Sequence, residues 1–201
     1  MNFLAHIYLA DQGNEKLLIG NLLGDFVRKV DEPRYEESIR KGIHMHRKLD
    51  SFTDSHPVFL KSRQRVSGLN RRYAGVLIDI FYDHFLARNW KQYSDQSLEK
   101  YAQHFYDILN KHKKILPDNL KRIMPYLMEE NWLVNYREIW GIEQAVNNIA
   151  RRFASSRRPM KDPIKELINN YENLEQDFLL FFPQAKEFAK HLTEYYIIDQ
   201  L

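Results

Sequence analysis

The sequence predicts an all-α fold, a helical bundle forming a single domain over residues 1–201. Three observations carry that expectation. Apolar residues recur at three- and four-residue spacing through almost every segment, as in amphipathic helices. Only 7 glycines and 7 prolines punctuate the chain, which argues against a turn-rich β architecture. No stretch alternates apolar and polar residues convincingly enough to read as a strand. A hydrophobic content of 44%, with 13% aromatics, is enough to build a proper core.

In chain order, Phe3 to Leu9 reads as a short apolar helix ended by Asp11-Gln12-Gly13. Asn14 caps a second helix that runs through LLIGNLLGDFV to about Lys29. DEPRYEE is a polar turn, and a helix starting near Tyr35 follows it. Pro57 disfavours the α conformation at His56 and so ends that helix. A further helix covers Pro57 to Val66, Gly68 and Asn70 punctuate, and Arg71 to Asn89 forms the next. Ser94 caps an amphipathic helix whose inner face carries Leu98, Tyr101, His104, Phe105, Ile108 and Leu109. Pro117 opens another helix, reaching Glu130 with a kink expected at Pro125. Trp132 to Arg152 forms one or two more. SSRRPMKDP is a loop, and Pro163–Leu180 and Pro183–Ile198 give the last two helices.

The formal charge is only +3, from 30 basic and 27 acidic residues. This argues against nucleic acid as the partner and permits an acidic one. With no cysteine, disulfides and thiolate-bound zinc are excluded, so any metal must be held by His, Asp, Glu and water. MNFLAHIYLADQG lacks the basic start and cleavage site of a signal peptide, and no run of apolar residues is long enough to span a bilayer. A cytoplasmic protein is expected.

Chemistry concentrates between Gly42 and Trp90, where four of the 8 histidines lie. His46, Asp50 and Asp54 run i, i+4, i+8 along one helix, whose Ile43, Leu49 and Phe52 indicate packing. Asp79 and Asp83 repeat the i, i+4 spacing with His84 beside them, inside the otherwise apolar AGVLIDIFYDHFLA. Buried carboxylates of this kind need a cation or an arginine. His6 and Asp25 each interrupt an apolar run, and each reads either as a ligand or as a hydrogen-bonded core residue. Gly20 and Gly24 flank the second run at a spacing that admits a neighbouring helix. Arg47, Arg71 and Arg72 lie near these acids in sequence and suit phosphate binding or ordinary ion pairing. Imidazole and carboxylate converging from several helices suit a divalent metal in a bundle.

The motifs MNFLAH, GNLLGDFV, HRKLDSFTDSHP, and RR-x-AG followed by D-x-x-x-DHFLA-x-x-W closely resemble the acyl carrier protein phosphodiesterase family, a match over residues 1–90. The resemblance implies a fold similar to the HD-type metal phosphohydrolases. The adjacent His-Asp pair that names those enzymes is absent, and Asp83-His84 has the reverse order. It also implies Mn²⁺-dependent hydrolysis of the phosphodiester joining 4′-phosphopantetheine to a serine of holo-acyl carrier protein, with Mg²⁺ or another divalent ion as a substitute. The functional residues it implies are Asp25, His46, Asp50, Asp79, Asp83 and His84, with His6 in addition.

On this reading His6, Asp25, His46, Asp50, Asp79 and His84 form the metal set. Asp54 or Asp83 takes a proton from water, and His56 assists the leaving serine. Arg47, Arg71 and Arg72 balance phosphoryl charge. Two alternatives stand beside it. One is an HD-like nucleotide phosphohydrolase. The other is a metal-free helical adaptor binding nucleic acid or protein through Arg151, Arg152, Arg157 and Arg158.

Overall fold

The structure, a computed structural model, describes residues 1–10 and 13–198, with side chains as far as Tyr196. It is all-α, and among the described residues no strand occurs. The expected terminator Asp11-Gln12 lies outside the described residues. No helix among them is long and apolar enough to cross a membrane.

The first five helices build the half of the molecule that carries the chemistry. They are α1 (Phe3–Ala10), α2 (Glu15–Leu23), α3 (Glu37–Ser55), α4 (Pro57–Arg65) and α5 (Ala74–Arg88). Asn14 caps α2 as expected, its side chain accepting from Lys16 N and Leu17 N. α2 nevertheless ends at Leu23, short of Lys29. Lys29–Arg34 is a 3₁₀ turn instead, because Pro33 denies an α-helix its amide. The α3/α4 break falls at His56 (φ −71, ψ 128), as Pro57 demands.

α2 and α3 make the most extensive helix pair in the molecule, and two glycines explain it. A Cβ on Gly20 would sit 2.1 Å from Ile39 O, and one on Gly42 would sit 2.2 Å from Leu17 O. Any larger residue at either position would force the backbones apart. The close approach anticipated for Gly20 is therefore observed.

The remaining helices are α6 (Leu98–Lys111), α7 (Asp118–Glu129), α8 (Trp132–Asn135), α9 (Ile139–Arg152), α10 (Pro163–Asn169) and α11 (Tyr171–Ile198). α6 is capped by Ser97, which accepts from Lys100 N, and not by Ser94. The break anticipated before Pro183 is absent. α11 runs through that proline on its exposed face, where a carbonyl without an amide partner meets water, and the chain breaks at Asn170 instead. One continuous buried core joins α1 to α11, with Phe59, Phe81, Tyr82, Phe85, Phe178 and Phe181 at its centre. α9 packs on α5, so the C-terminal half closes over the helix that carries Asp79.

Candidate metal centre

Four elements deliver acidic and imidazole groups to one place: α1 brings His6, the turn after α2 brings Asp25, α3 brings His46 and Asp50, and α5 brings Asp79. The first step is the docking of α1. Asp83, fully buried on α5, accepts from the amides of Leu4 (2.8 Å) and Ala5 (2.9 Å), groups that a helix start leaves unpaired. That clamp fixes α1 on α5 and sets His6, one turn on, against α3.

His6 is buried, and its Nδ1 lies 3.1 Å from Asn21 Oδ1. Its Nε2 lies 3.0 Å from Asp50 Oδ1. The His46 ring stacks on it at 3.9 Å between centroids and an interplanar angle of 17°. His46 Nε2 lies 3.3 Å from Asp25 Oδ1 and 3.1 Å from Asp50 Oδ2. The α-ammonium of Met1 sits between Asp50 Oδ1 (3.2 Å) and Asp79 Oδ1 (3.0 Å). Gly24 makes room for the stack, since a Cβ there would stand 2.1 Å from His46 Cγ.

The titration of these groups follows from their surroundings. Burial, with the charge of His46 beside it, lowers His6 to about 4, so His6 is neutral. Burial also disfavours charge on His46, but hydrogen bonds to Asp25 and Asp50 outweigh it and raise that imidazole to about 9. Burial would raise Asp50, yet the hydrogen bonds from His46 and His6 hold it well below the usual carboxylate range. Asp79 is raised, because burial outweighs the neighbouring ammonium.

This donor set fits a divalent cation. Neutral His6 has one N–H for two oxygen partners, Asn21 Oδ1 and Asp50 Oδ1, and so leaves an acceptor facing an acceptor. Ligand atoms of His6, His46 and Asp50 all lie within 4.8 Å of one another, the one such set among the described residues. Mixed imidazole and carboxylate donors suit Mn²⁺, Fe²⁺ or Zn²⁺. His6, Asp25, His46, Asp50 and Asp79 are the expected residues that the structure brings together.

Others it does not. Asp54 points outward, with its side chain 71% exposed and 3.9 Å from Arg63. Eight residues advance a helix by about 80° beyond two full turns, which carries Asp54 off the face of His46. His84 is buried elsewhere, its Nδ1 2.8 Å from Tyr136 O and its Nε2 2.8 Å from Tyr171 Oη. It is a hydrogen-bonded core histidine and not a ligand of this centre. Asp83 is occupied by the α1 amides and not free to meet a water. His56 caps α4 through Val58 N and packs on Phe181. Among the arginines, Arg47 pairs with Glu32 and Arg71 Nε donates to Val66 O. The Arg72 guanidinium lies over the Tyr73 ring. Their recorded partners are structural.

Sequence reasoning missed Asn21, which orients His6. A lone carboxamide in the apolar run LLIGNLLG, fully buried, was the available signal. It also missed the residues of α7, α8 and α9 that wall a cavity of about 430 Å³ beside the centre, which Asp25 and Asp79 also line.

The family profile for acyl carrier protein phosphodiesterase matches residues 1–185. Similar curated proteins include an acyl carrier protein phosphodiesterase of Photorhabdus laumondii, 32% identical over 201 residues and covering 100% of both chains. Another, from Escherichia coli O6:H1, is 38% identical over 197 residues, 94% of this chain and 97% of the other. A third, from Escherichia coli O139:H28, is 37% identical over 199 residues, 95% of this chain and 98% of the other. No solved structure matches. With a profile covering most of its length and relatives alike from end to end, the chain belongs to the acyl carrier protein phosphodiesterase family.

Proposed function

We propose that this protein hydrolyses the phosphodiester between 4′-phosphopantetheine and the serine of holo-acyl carrier protein, giving apo-carrier protein and free 4′-phosphopantetheine. The observation that carries the reading is the cluster of His6, His46 and Asp50, flanked by Asp25 and Asp79, which also line a cavity, in a chain of this family. His6, His46 and Asp50 would hold Mn²⁺, or Mg²⁺ in its place, with Asp25 adjacent. A divalent cation there would neutralise the non-bridging phosphoryl oxygens and acidify a water.

The chain's own groups do the rest. Asp79, raised by burial and facing the cavity, is better matched to accept a proton from water than the depressed Asp50. Water adds to phosphorus, the bond from phosphorus to the serine oxygen breaks, and the proton taken by Asp79 returns to that oxygen. Asn21 holds the His6 ring in place. Arg152 lines the cavity, and exposed Arg151, Arg157 and Arg158 lie close to it in sequence, a basic surface that would attract an acidic carrier protein. Such a substrate implies a cytoplasmic enzyme.

The test is incubation of purified protein with Mn²⁺ and holo-carrier protein, weighing the carrier protein by mass spectrometry. Loss of the phosphopantetheinyl group, abolished by chelator and by Asp50→Ala, is the expected result. Retention of the group by the wild-type protein under saturating Mn²⁺ refutes the reading.

A further inference from the structure

We infer that the cavity beside the metal centre is the binding site for the neutral, amide-bearing arm of the substrate, and that four carboxamides read that arm. The inference rests on the phosphodiesterase reading for the identity of the ligand, but the cavity's chemistry points to it independently.

The cavity runs from Asp25 and Asp79 to a wall built by α7, α8 and α9. Its volume of about 430 Å³ lies within the range of roughly 300–1,000 Å³ usual for small-molecule sites. Apart from Asp25 and Asp79 its side chains are neutral except for Arg152. Phe26, Val76, Ile80, Ile123 and Trp132 supply apolar surface, and among them stand Asn119, Asn135, Gln144 and Asn148.

The hydrogen bonds of these carboxamides sort them into two kinds. Asn135 Nδ2 donates to Glu130 O, and Gln144 Nε2 donates to Glu130 Oε2. Both side-chain oxygens are thereby left to accept. Asn119 Oδ1 accepts from Leu120 N, and Asn148 Oδ1 accepts from Arg151 Nη1. Both amino groups are left to donate. A secondary amide offers one N–H and one C=O, so this wall presents acceptors for the first and donors for the second.

Few ligand classes match. A sugar would meet too much apolar surface at Phe26, Val76, Ile80, Ile123 and Trp132, and a fatty chain would leave the half-buried Asn135 and Asn148 facing hydrocarbon, while a nucleobase is the competitor that adenosine tests. A flexible chain with amides set between methylene and methyl groups satisfies both features. The pantetheine arm has that constitution, with a phosphate at the end that would meet the metal centre. Gly141 holds the geometry, because a Cβ there would stand 2.1 Å from Asn135 O and push α9 away from α8.

The experiment is calorimetric titration of the Mn²⁺-loaded protein with pantetheine, with an analogue in which a methylene replaces one amide nitrogen, and with adenosine. Kinetics on holo-carrier protein accompany it. The wild-type protein should prefer pantetheine over the analogue by about tenfold, the worth of one good hydrogen bond. Asn135→Leu should lose most of that preference, Asn148→Leu should weaken both ligands alike, and both should raise KM for holo-carrier protein more than they lower kcat. Discrimination between the two ligands is a readout that mere loosening of α8 or α9 would not abolish selectively. Pantetheine binding with no hydrolysis would leave this assignment standing while removing the phosphodiesterase reading. Hydrolysis with neither pantetheine binding nor an effect of either variant would overturn the assignment and spare that reading. Preference for adenosine would overturn the assignment.

Discussion

Replacing Gly24 by alanine should dismantle the metal centre without touching any ionisable group. Gly24 has ordinary helical geometry (φ −53, ψ −37), so the backbone would tolerate alanine. The obstacle is His46. A Cβ at position 24 would lie 2.1 Å from its Cγ, 2.3 Å from its Cδ2 and 2.5 Å from its Cβ. Carbon atoms in contact sit at about 3.5–4.0 Å, so the imidazole must retreat by more than about 1 Å. Because the His46 Cβ is itself among the clashing atoms, turning the ring is not enough, and α3 must shift. The contacts of His46 Nε2 with Asp25 (3.3 Å) and Asp50 (3.1 Å) then pass out of hydrogen-bond range. Overpacking of this kind costs about 1–3 kcal/mol of stability. Displacing a ligand by that distance should weaken Mn²⁺ binding by at least about 10–100-fold and lower kcat/KM by about 100-fold. Calorimetric Mn²⁺ titration and carrier-protein hydrolysis measure both, with circular dichroism confirming the helices. Gly75→Ala is the control, since nothing lies within 4 Å of the added atom. Gly24→Ala/His46→Ala, which removes the ring but keeps the Cβ 2.5 Å away, should recover only part of the stability, and none of the metal, that Gly24→Ala loses. Wild-type Mn²⁺ affinity in folded Gly24→Ala would show that His46 does not belong to the centre.

Protonation and charge give three more tests. In metal-free protein His46 titrates near 9 and is a cation at neutral pH, whereas a ligand imidazole must be neutral. Each ion bound at pH 7 should therefore release close to one proton, with affinity rising about tenfold per pH unit and levelling above about pH 9. Titration in buffers of different ionisation enthalpy reads this, and absence of proton release excludes His46 as a ligand. The same raised pKa stabilises metal-free protein fully below about pH 6.5, an effect lost as pH rises through about 9, so thermal melts without metal should fall across that window. Burial raises Asp83 to about 7 against 3.8 for a free side chain. Its contribution to stability is thus full below about pH 4 and lost as pH rises through about 7. Asp83→Asn, which keeps one oxygen for the α1 amides, should flatten that decline in melts, and coincident pH profiles would mean the carboxylate stays charged throughout. Finally, Arg157→Glu with Arg158→Glu should lower kcat/KM on holo-carrier protein by about fivefold or more at low salt, with the difference shrinking as salt rises. Equal rates at every ionic strength would remove this surface from recognition.

How far the sequence alone reveals this molecule depends on which physical signal a residue leaves. Helices are legible because burial imposes a period, so the cap at Asn14 and the stop at His56-Pro57 could be read directly. Pro183 misleads because a proline removes one hydrogen bond without always ending a helix, and here α11 continues through it on a face that meets solvent. At the site, His6, Asp25, His46, Asp50 and Asp79 betray themselves as ionisable groups set into apolar runs. The same signal also marks Asp83 and His84, and periodicity explains why they differ. Relative to Asp79, a helix turns about 40° to Asp83 and about 140° to His84. The first therefore meets the start of α1 and the second meets Tyr136 and Tyr171, so each buried charge or ring finds a backbone or hydroxyl partner and needs no metal. Only the position of α1 tells a ligand from a clamp, and α1 is placed by contacts across 78 and 79 residues of sequence. The carboxamide wall is more hidden still. Asn119, Asn135, Gln144 and Asn148 look like ordinary surface residues in sequence, and only the packing of α7, α8 and α9 together, with α9 on α5, sets them around the same cavity as Asp25 and Asp79. Neutral side chains leave no periodic or electrostatic trace, which is why the half of the chain that walls the cavity was the harder half to read.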